Sequence, residues 1–392
     1  MKKVLSIVLA ALLLMGCFAM AGCQKGSDTI KVGLNYELSG DYAMYGLACS
    51  AGAELAFAEV NANGGINGKQ LEIVKYDNKC DAAEATTLAT KLMTQDKVLA
   101  IVGPALTGTF TAESSVAESN KVAVVTGSAT GDDVIATHDA DGNVTAVKNY
   151  TFRICFNDSY QGTTMANFAE STLGAKKAAI YADNSSDYAK GLTKSFTSTF
   201  AGEIVATEYY TSGDTDFNAV LTSLKDKEFD VLFIPGYYSE VGLIIKQARA
   251  LGIDCPILGA DGFESPTLVE LAGADALSNV YYSCHYSDLL PGDAIANFVT
   301  SYKEANNEDP NMFHAMGYDA AMFLCDAIAR AYEANEGKDI TAADVQAQLV
   351  ATENFAGVTG SFSIDPETHD TVKAIVVVEL QKGAAVNAQI IG

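Results

Sequence analysis

The stretch from Ile30 to Asp77 constrains the fold of this chain more than any other. An apolar, strand-like run (30–34) leads into a Ser-Gly turn, and a helix-period stretch follows that ends in Asn-Gly-Gly. A second strand-like run covers 71–76, so the stretch predicts a βαβ unit, which builds parallel sheets. Open parallel sheets bind ligands in the crevice beyond the carboxyl ends of their strands. We therefore expect a ligand crevice beside residues 35–45 and 76–77.

The first 23 residues have the pattern of a secretory signal, with a basic start, an apolar run (4–15) and small residues before a cysteine. Met-Ala-Gly-Cys ending at Cys23 resembles a bacterial lipobox, whose cysteine is lipidated. Cys17 ends a competing match. We prefer Cys23 because the polar segment Gln24–Ser27 follows it directly. An ordinary cleaved signal with incidental cysteines is the alternative.

The composition limits both the size of the folding units and the class of partner. The chain of 392 residues, even without its signal, exceeds a typical single core, so two lobes are expected. Its net charge of −24 argues against binding nucleic acid, whose phosphates require a basic face. The same charge argues against electrostatic adsorption to anionic lipid.

Cysteines and histidines give no sign of a metal site or a cofactor, and none is predicted. Six cysteines follow the signal, at Cys49, Cys80, Cys155, Cys255, Cys284 and Cys325. None forms a Cys-x-x-Cys pair, and several lie in apolar runs, so most are interpreted as buried free thiols rather than disulfides. The four histidines are scattered without paired spacing, so zinc is not predicted.

Strand-like and helix-like segments alternate along the chain in two successive series. The first series closes near Val122–Thr126 and the second runs from Ala178 to Cys284. This alternation predicts an α/β protein with two doubly wound lobes. Two predicted helices (293–306 and 312–333) then follow without a strand between them, and two short strands end the chain. That order fits a chain that crosses between the lobes more than once.

One long motif, GGINGKQLEIVKYDNKCDAAEA at 64–85, resembles the N-terminal signature of the leucine/isoleucine/valine-binding proteins of ABC transporters. These belong to the type I periplasmic binding proteins, which also include amide sensors. The resemblance continues in order over essentially the whole mature chain. It runs through Gly103–Gly108, Thr126–Thr130, Phe152–Gly162, Gly236–Tyr237, Lys246–Ile253, Gly259–Phe263 and Gly360–Asp365.

The resemblance implies two Rossmann-like α/β lobes joined by three hinge strands, with the ligand held between them. Carried over, lobe one is 28–150 with 286–354, and lobe two is 151–285 with 355–392. It further implies an extracytoplasmic substrate-binding lipoprotein of an ABC importer, anchored to the cell membrane through the lipid on Cys23. The implied partners are a branched-chain or similar apolar amino acid and a membrane permease, and we expect a monomer.

An amino-acid ligand carries a carboxylate and an ammonium group, and desolvating both is costly unless each gains partners. Thr107 begins a Thr-Gly-Thr segment that follows a strand and opens a helix, which offers hydroxyls, backbone N–H groups and a helix start. Ser128 and Thr130 follow the next strand. By resemblance, these three residues hold the carboxylate and assist the ammonium group. Helix capping at Thr107, which we expect in any case, and turn formation at Ser128 are the alternatives.

Asp261 ends a strand at a position where the resembling family carries an acidic residue, so it is the predicted partner of the ammonium group. An ordinary strand-end turn is the alternative. Tyr45, Tyr188 and Tyr237 match aromatic positions that line or clamp the pocket in the family, and core packing is the alternative for them.

Two departures from the family pattern leave the side-chain preference open. Well-studied family members pair a cysteine at the position of Cys80 with one at the position of Leu106, so this disulfide is absent and Cys80 is expected to be free. Leu106 also lies beside the expected side-chain pocket, and Asp261 is shorter than glutamate by one methylene.

Two other functions were weighed against uptake. A sensor of the same fold could report amide or amino-acid occupancy to a regulator. An enzyme is disfavoured because the chain has no Gly-x-Ser-x-Gly elbow, no P-loop and no Gly-x-Gly-x-x-Gly on its first strand. No catalysis is predicted.

Overall fold

The computed structural model describes residues 29–139 and 142–391, so the predicted signal and its lipobox cysteines lie outside the described residues. The helices are α1 (Ala43–Ala62), α2 (Ala82–Lys91), α3 (Thr107–Asn120), α4 (Asp158–Ser171), α5 (Asp187–Thr199), α6 (Asn218–Lys225), α7 (Tyr238–Ala250), α8 (Pro266–Ala272), α9 (Asp293–Asn306), α10 (Met312–Ala334) and α11 (Ala342–Val350). The strands are β1 (Ile30–Tyr36), β2 (Leu71–Asp77), β3 (Ile101–Val102), β4 (Val124–Thr126), β5 (Ala136–His138), β6 (Val144–Val147), β7 (Thr151–Arg153), β8 (Lys177–Asp183), β9 (Glu203–Tyr210), β10 (Val231–Phe233), β11 (Ile257–Gly259), β12 (Val280–Cys284), β13 (Phe355–Gly357), β14 (Gly360–Phe362), β15 (Ile375–Gln381) and β16 (Ala384–Ile391).

The predicted βαβ unit is confirmed as β1, α1 and β2. The two strands pair in parallel along their whole length, from Ile30 opposite Leu71 to Tyr36 opposite Asp77. The turn after α1 depends on glycine, because Gly65 has a φ of 74° and a Cβ there would lie 2.0 Å from the Lys69 carbonyl oxygen. The family-like signature around this turn therefore has a structural reason.

Two separate sheets confirm the prediction of two doubly wound lobes. The first has the order β2-β1-β3-β4-β7 and is parallel throughout. The second has the order β16-β15-β12-β11-β10-β8-β9, in which β15 runs antiparallel to both of its neighbours, β12 and β16, and the other strands run in one common direction. In each sheet the strand order reverses once, between β1 and β3 and between β8 and β10. Such reversals open a crevice at the carboxyl ends of the strands.

The chain returns to the first sheet after β12, because α10 packs closely against α1. Two glycines permit this approach: a Cβ on Gly52 would lie 1.9 Å from the His314 carbonyl oxygen, and one on Gly317 would lie 1.9 Å from that of Cys49. The two helices are buried in one large apolar core, to which α10 contributes Phe313 and Met316. The contact places the start of α10 beside the residue that follows β4, because a Cβ on Gly127 would lie 2.8 Å from the Met316 carbonyl oxygen.

Several strands, among them β16, β7 and the short β13, were not predicted from the sequence. β16 is mostly exposed at the sheet edge, so it lacks the apolar alternation that marks a strand. β7 is only three residues long and pairs with β4, although it falls at the start of the predicted second lobe. It lies where the chain leaves the first sheet. Among the described helices none is long and apolar enough to cross a membrane.

Candidate ligand-binding site

The structure brings all seven predicted ligand-binding residues to the wall of one small cavity. The wall consists of Tyr45, Ala105, Leu106, Thr107, Ser128, Thr130, Tyr188, Tyr237, Asp261, Gly262 and Phe313. The contacts of each of these residues with a ligand stay a prediction.

The cavity lies where the carboxyl ends of the two sheets face each other. Thr107 follows β3, and Ser128 and Thr130 follow β4 in the first sheet. From the second sheet, Tyr237 follows β10 and Asp261 follows β11. Parallel strands expose their carboxyl ends on one edge, which is why residues far apart in sequence meet here.

Thr107 is the first residue of α3 rather than its cap, so the prediction of capping at this residue is wrong. The N-cap position is held by the apolar Leu106. The Thr107 hydroxyl oxygen instead accepts a hydrogen bond from the Gly131 backbone N–H at 3.2 Å, which ties the two ligand-facing loops together. The helix start itself favours an anion, such as a ligand carboxylate.

Glu37, just after β1, takes the role of the missing cap. Its Oε2 accepts a hydrogen bond from the Ala105 N–H at 3.0 Å, and its Oε1 accepts one from the Thr109 hydroxyl at 2.5 Å. Glu37 is fully buried, and burial raises the pKa of its carboxyl group against the lowering effect of these donors. A carboxyl group that follows a neighbouring strand thus replaces a local helix cap. No sequence pattern around Thr107 indicates this replacement.

Two hydroxyls following β4 are available to a ligand. The Ser128 hydroxyl donates to the Ala105 carbonyl oxygen at 3.0 Å and keeps its own oxygen as an acceptor. The Thr130 hydroxyl is buried without an aligned hydrogen-bond partner among the described residues. Since an unpaired buried polar atom is costly, a ligand that pairs with Thr130 gains from it.

Asp261 presents a buried carboxylate to the cavity from the second sheet. Its side chain is 3 % exposed, and its Oδ1 accepts hydrogen bonds from the Tyr188 hydroxyl at 2.7 Å and the Gln161 amide at 3.2 Å. Its Oδ2 lies 3.4 Å from Nε2 of His285. Burial lowers the pKa of His285, so these donors are neutral at pH 7 and a cationic ligand group would complete the site.

Asp158 is a second buried acid near the cavity that the sequence reasoning missed. It begins α4, where Asn157 supplies the cap, and its Oδ2 has no aligned partner within the described part of the chain. Burial, and then the charge of Asp132, raises the pKa of Asp158 well above its usual range. In the sequence, an acid that follows an asparagine at a helix start indicates ordinary capping, so Asp158 was not predicted as a site residue. Its place in the matched motif 152–162 was the available signal.

Aromatic rings form the apolar wall. Tyr188 and Tyr237 stack with ring centroids 4.9 Å apart, and Tyr45 packs on Phe313 at 4.6 Å. Burial raises the pKa of all three tyrosines well above the usual range, so their hydroxyls stay protonated. Phe313 was also missed, because an apolar residue in a long amphipathic helix reads as core. Leu106 lines the cavity, as expected for a residue beside the side-chain pocket.

The two lobes touch each other directly over the cavity. The Tyr45 hydroxyl from the first lobe donates to the Gly262 carbonyl oxygen of the second at 2.5 Å. The same oxygen of Tyr45 accepts the Tyr238 backbone N–H at 3.2 Å. One side chain therefore bridges the cleft from α1 to the loops after β10 and β11.

A further set of bonds crosses the cleft outside the cavity, and we call these the rim contacts. The Asp41 carbonyl oxygen accepts hydrogen bonds from the Tyr238 hydroxyl at 3.0 Å and the Ser239 hydroxyl at 2.9 Å. Beside them the Tyr42 and Ser212 hydroxyls lie 2.5 Å apart. None of these five residues lines the cavity.

A buried ion pair joins the segments that cross between the lobes. Arg153, at the end of β7, donates two hydrogen bonds to the Asp370 carboxylate, at 2.9 and 2.7 Å. Its Nη1 also donates to the carbonyl oxygens of Gly131 at 2.8 Å and Thr130 at 3.3 Å. The pair thereby fixes the loop that presents Thr130 to the cavity.

The six cysteines among the described residues are free, in agreement with the predictions that most are buried thiols and that Cys80 is unpaired. Four of them, Cys49, Cys155, Cys284 and Cys325, are buried, while Cys80 and Cys255 are partly exposed. Across residues 29–139 and 142–391, no group of three or more His, Cys, Asp or Glu side chains could hold a metal ion.

Comparison with known proteins agrees with this geometry. A family model described as "Periplasmic binding protein" matches residues 29–385. The branched-chain amino acid transporter substrate binding protein LivJ from Streptococcus pneumoniae, solved in complex with isoleucine, is 40 % identical with a TM-score of 0.86, covering 93 % of this chain and 99 % of that chain. The leucine binding protein LivK from Thermotoga maritima is 30 % identical with a TM-score of 0.81, covering 93 % and 98 %. The leucine-, isoleucine-, valine-, threonine-, and alanine-binding protein of Pseudomonas aeruginosa is 28 % identical over 367 residues, which is 92 % of this chain and 91 % of that protein.

Proposed function

The chain belongs to the periplasmic binding protein family, and from this we propose that it captures a branched-chain or similar apolar amino acid outside the cytoplasm for an ABC importer. The observation that carries the proposal is the division of one small cavity into an anion-binding side on the first lobe and an acidic side on the second. The 40 % identical LivJ, which was solved with isoleucine, supports the same ligand class.

The first lobe receives the ligand carboxylate. The start of α3 at Thr107 supplies a positive helix end, and Ser128 and Thr130 supply hydroxyls. The ammonium group faces Asp261, with Asp158 and the Thr130 hydroxyl nearby. Asp261 thereby disfavours neutral amides, since such a ligand would leave its carboxylate buried and unpaired.

The ligand side chain lies against the apolar part of the wall, formed by Leu106, Phe313 and the faces of Tyr45 and Tyr237. Burial of a branched aliphatic side chain contributes about 1.5–3 kcal/mol.

Closure of the lobes completes the cycle. The ligand binds to lobe one (28–150 with 286–354), and lobe two (151–285 with 355–392) then closes through Asp261 and Tyr237. Only contacts made preferentially in the closed form shift that equilibrium. The closed protein delivers the amino acid to a membrane permease, as a monomer tethered by a lipid on Cys23, and carries out no catalytic step.

Calorimetry of the purified protein tests the proposal. We expect binding at about micromolar Kd or tighter for at least one of leucine, isoleucine and valine, with alanine, phenylalanine and acetamide as comparisons. Two matched analogues isolate the charges: isoamylamine lacks the carboxylate of leucine, and 4-methylpentanoate lacks its ammonium group. Neither should bind measurably. Tight acetamide binding without an amino-acid response would favour an amide sensor and contradict the proposal.

A further inference from the structure

His285 leaves the second sheet next to the acid that faces the ligand's ammonium group. It follows β12 directly, while Asp261 follows β11, and these parallel strands are neighbours with Gly259 paired to Tyr282. Both side chains therefore emerge at the same edge of the sheet. Nε2 of His285 lies 3.4 Å from Oδ2 of Asp261.

The imidazole is held rigidly in this position. Its ring stacks on Phe156 with centroids 3.5 Å apart and planes 20° apart, and its backbone N–H contacts Sδ of Met312 at 3.2 Å. The residue is 3 % exposed, and neither ring nitrogen makes an aligned hydrogen bond among the described residues, Asp261 included. A neutral imidazole carries one N–H. Placed on Nε2, that N–H lies beside the carboxylate of Asp261, with Nε2 3.4 Å from Oδ2.

The charges around the pair favour a neutral imidazole. Burial lowers the pKa of His285, and the neighbouring carboxylate of Asp261 opposes this only in part. The other titratable groups around the two residues are Lys373, Asp158, Cys155, Cys284, Tyr45, Tyr188 and Tyr237. Lys373 is a buried amine whose pKa burial lowers to about 8, and its charge also disfavours an imidazolium at 285.

We propose that His285 is a positioning residue of the ammonium site, which fixes the second oxygen of Asp261 for the ligand. This inference rests on the proposed function. Tyr188 and Gln161 already fix Oδ1 from two helices, and His285 supplies the neighbour of Oδ2 from β12. An aspartate reaches less far than glutamate, so its orientation decides whether it meets the ammonium group.

The arrangement also predicts an acid sensitivity. A protonated imidazole beside Asp261 would form an ion pair with it and compete with the ligand's ammonium group. Binding must then release that proton, so affinity falls as the pH drops through the pKa of His285 in the ligand-free protein. Since burial holds this pKa below the usual value of about 6.5, the loss lies at pH values below that.

Three variants of the full chain test the inference by calorimetry with leucine. His285→Phe keeps a ring on Phe156 but has no donor, whereas His285→Gln keeps an N–H donor. The matched control His369→Phe alters another buried histidine that stacks on a phenylalanine, but whose Nδ1 faces the Lys148 carbonyl oxygen rather than Asp261. Thermal melts of all three establish that each is folded.

We expect leucine affinity to fall about tenfold or more in His285→Phe, to stay within about threefold in His285→Gln and to be unchanged in the control. Between pH 8 and pH 5 the wild type should lose more affinity than His285→Gln. If His285→Phe binds leucine with the affinity and the pH profile of the wild type, the inference is overturned, while the proposed function stands. If that variant does not fold, a profile of His285→Gln equal to the wild type overturns it. A wild-type protein that binds no amino acid overturns the proposed function and this inference together.

Discussion

Replacing Asp261 by asparagine removes one charge from the cavity while leaving the shape of the side chain. The asparagine oxygen can still accept the hydrogen bonds from Tyr188 and Gln161, which now hold Oδ1 at 2.7 and 3.2 Å. The fold should therefore survive the change. The ligand's ammonium group, however, loses the carboxylate that it meets on closure.

The size of the effect follows from the burial of the site. Asp261 is 3 % exposed, so the ammonium group in the closed protein cannot recover water as a partner. A hydrogen bond to a charged group contributes about 1.5–3 kcal/mol, and leaving a buried charge unpaired costs about 3–5 kcal/mol. At 1.4 kcal/mol for each factor of ten, leucine should bind roughly ten- to several thousand-fold more weakly.

Calorimetry with leucine provides the measurement, and thermal melting shows whether the variant is folded. Asp254→Asn is the matched control, because Asp254 is an exposed aspartate that precedes the same strand, β11, at its other end. The analogue 4-methylpentanoate, which has no ammonium group, should gain relative to leucine in Asp261→Asn. A folded variant that binds leucine within threefold of the wild type refutes the assignment of Asp261.

Three other predictions follow from contacts described above. Tyr45→Phe loses the bond to the Gly262 carbonyl across the cleft, worth about 1 kcal/mol, so titrations should show leucine, isoleucine and valine all binding about fivefold more weakly; an effect on one ligand alone would contradict this. Thiol labelling of denatured, unreduced protein should find Cys80 free, and protection there would reveal a partner. Burial raises the pKa of Asp370, but the guanidinium of Arg153 outweighs it and holds that pKa below its usual range. The stability from this pair is present above the unfolded pKa of about 3.9 and is lost as the pH falls through the lower folded value. Urea unfolding should therefore show Asp370→Asn about 3–5 kcal/mol less stable at pH 7 and a smaller difference below about pH 4; a constant difference would argue against the assignment.

Local patterns were sufficient for most of the architecture. Alternation of β and α segments predicted two parallel sheets, and the bounds predicted for the helix 293–306 agree with α9. The exposed edge strand β16 could not be predicted in this way, because its residues show no apolar alternation. The strand β7 is too short to give a periodic signal.

The polar residues predicted from the sequence line the cavity because hydroxyl and carboxyl groups that follow parallel strands meet at one edge of a sheet, while their contacts with a ligand stay a prediction. Phe313 was not found, since its position on α10 is the same whether it faces core or cavity. Glu37 and His285 were missed for another reason. Each acts on a residue from a neighbouring strand, so only the register of the sheet reveals the partner.

The rim contacts separate two properties of the binding protein: the ligand concentration at which it is half saturated, and its order of preference among ligands. In the proposed closure, Asp41, Tyr238 and Ser239 are expected to stabilise the closed form by the same amount whichever amino acid is inside, because they do not line the cavity. Apparent Kd equals the intrinsic Kd divided by the fraction of protein in the binding-competent form. Changes at the rim would therefore scale every half-saturation concentration by one common factor and leave the order of ligands unchanged. Such changes would adapt the protein to lower or higher amino-acid concentrations outside the cell without altering the residues that line the cavity.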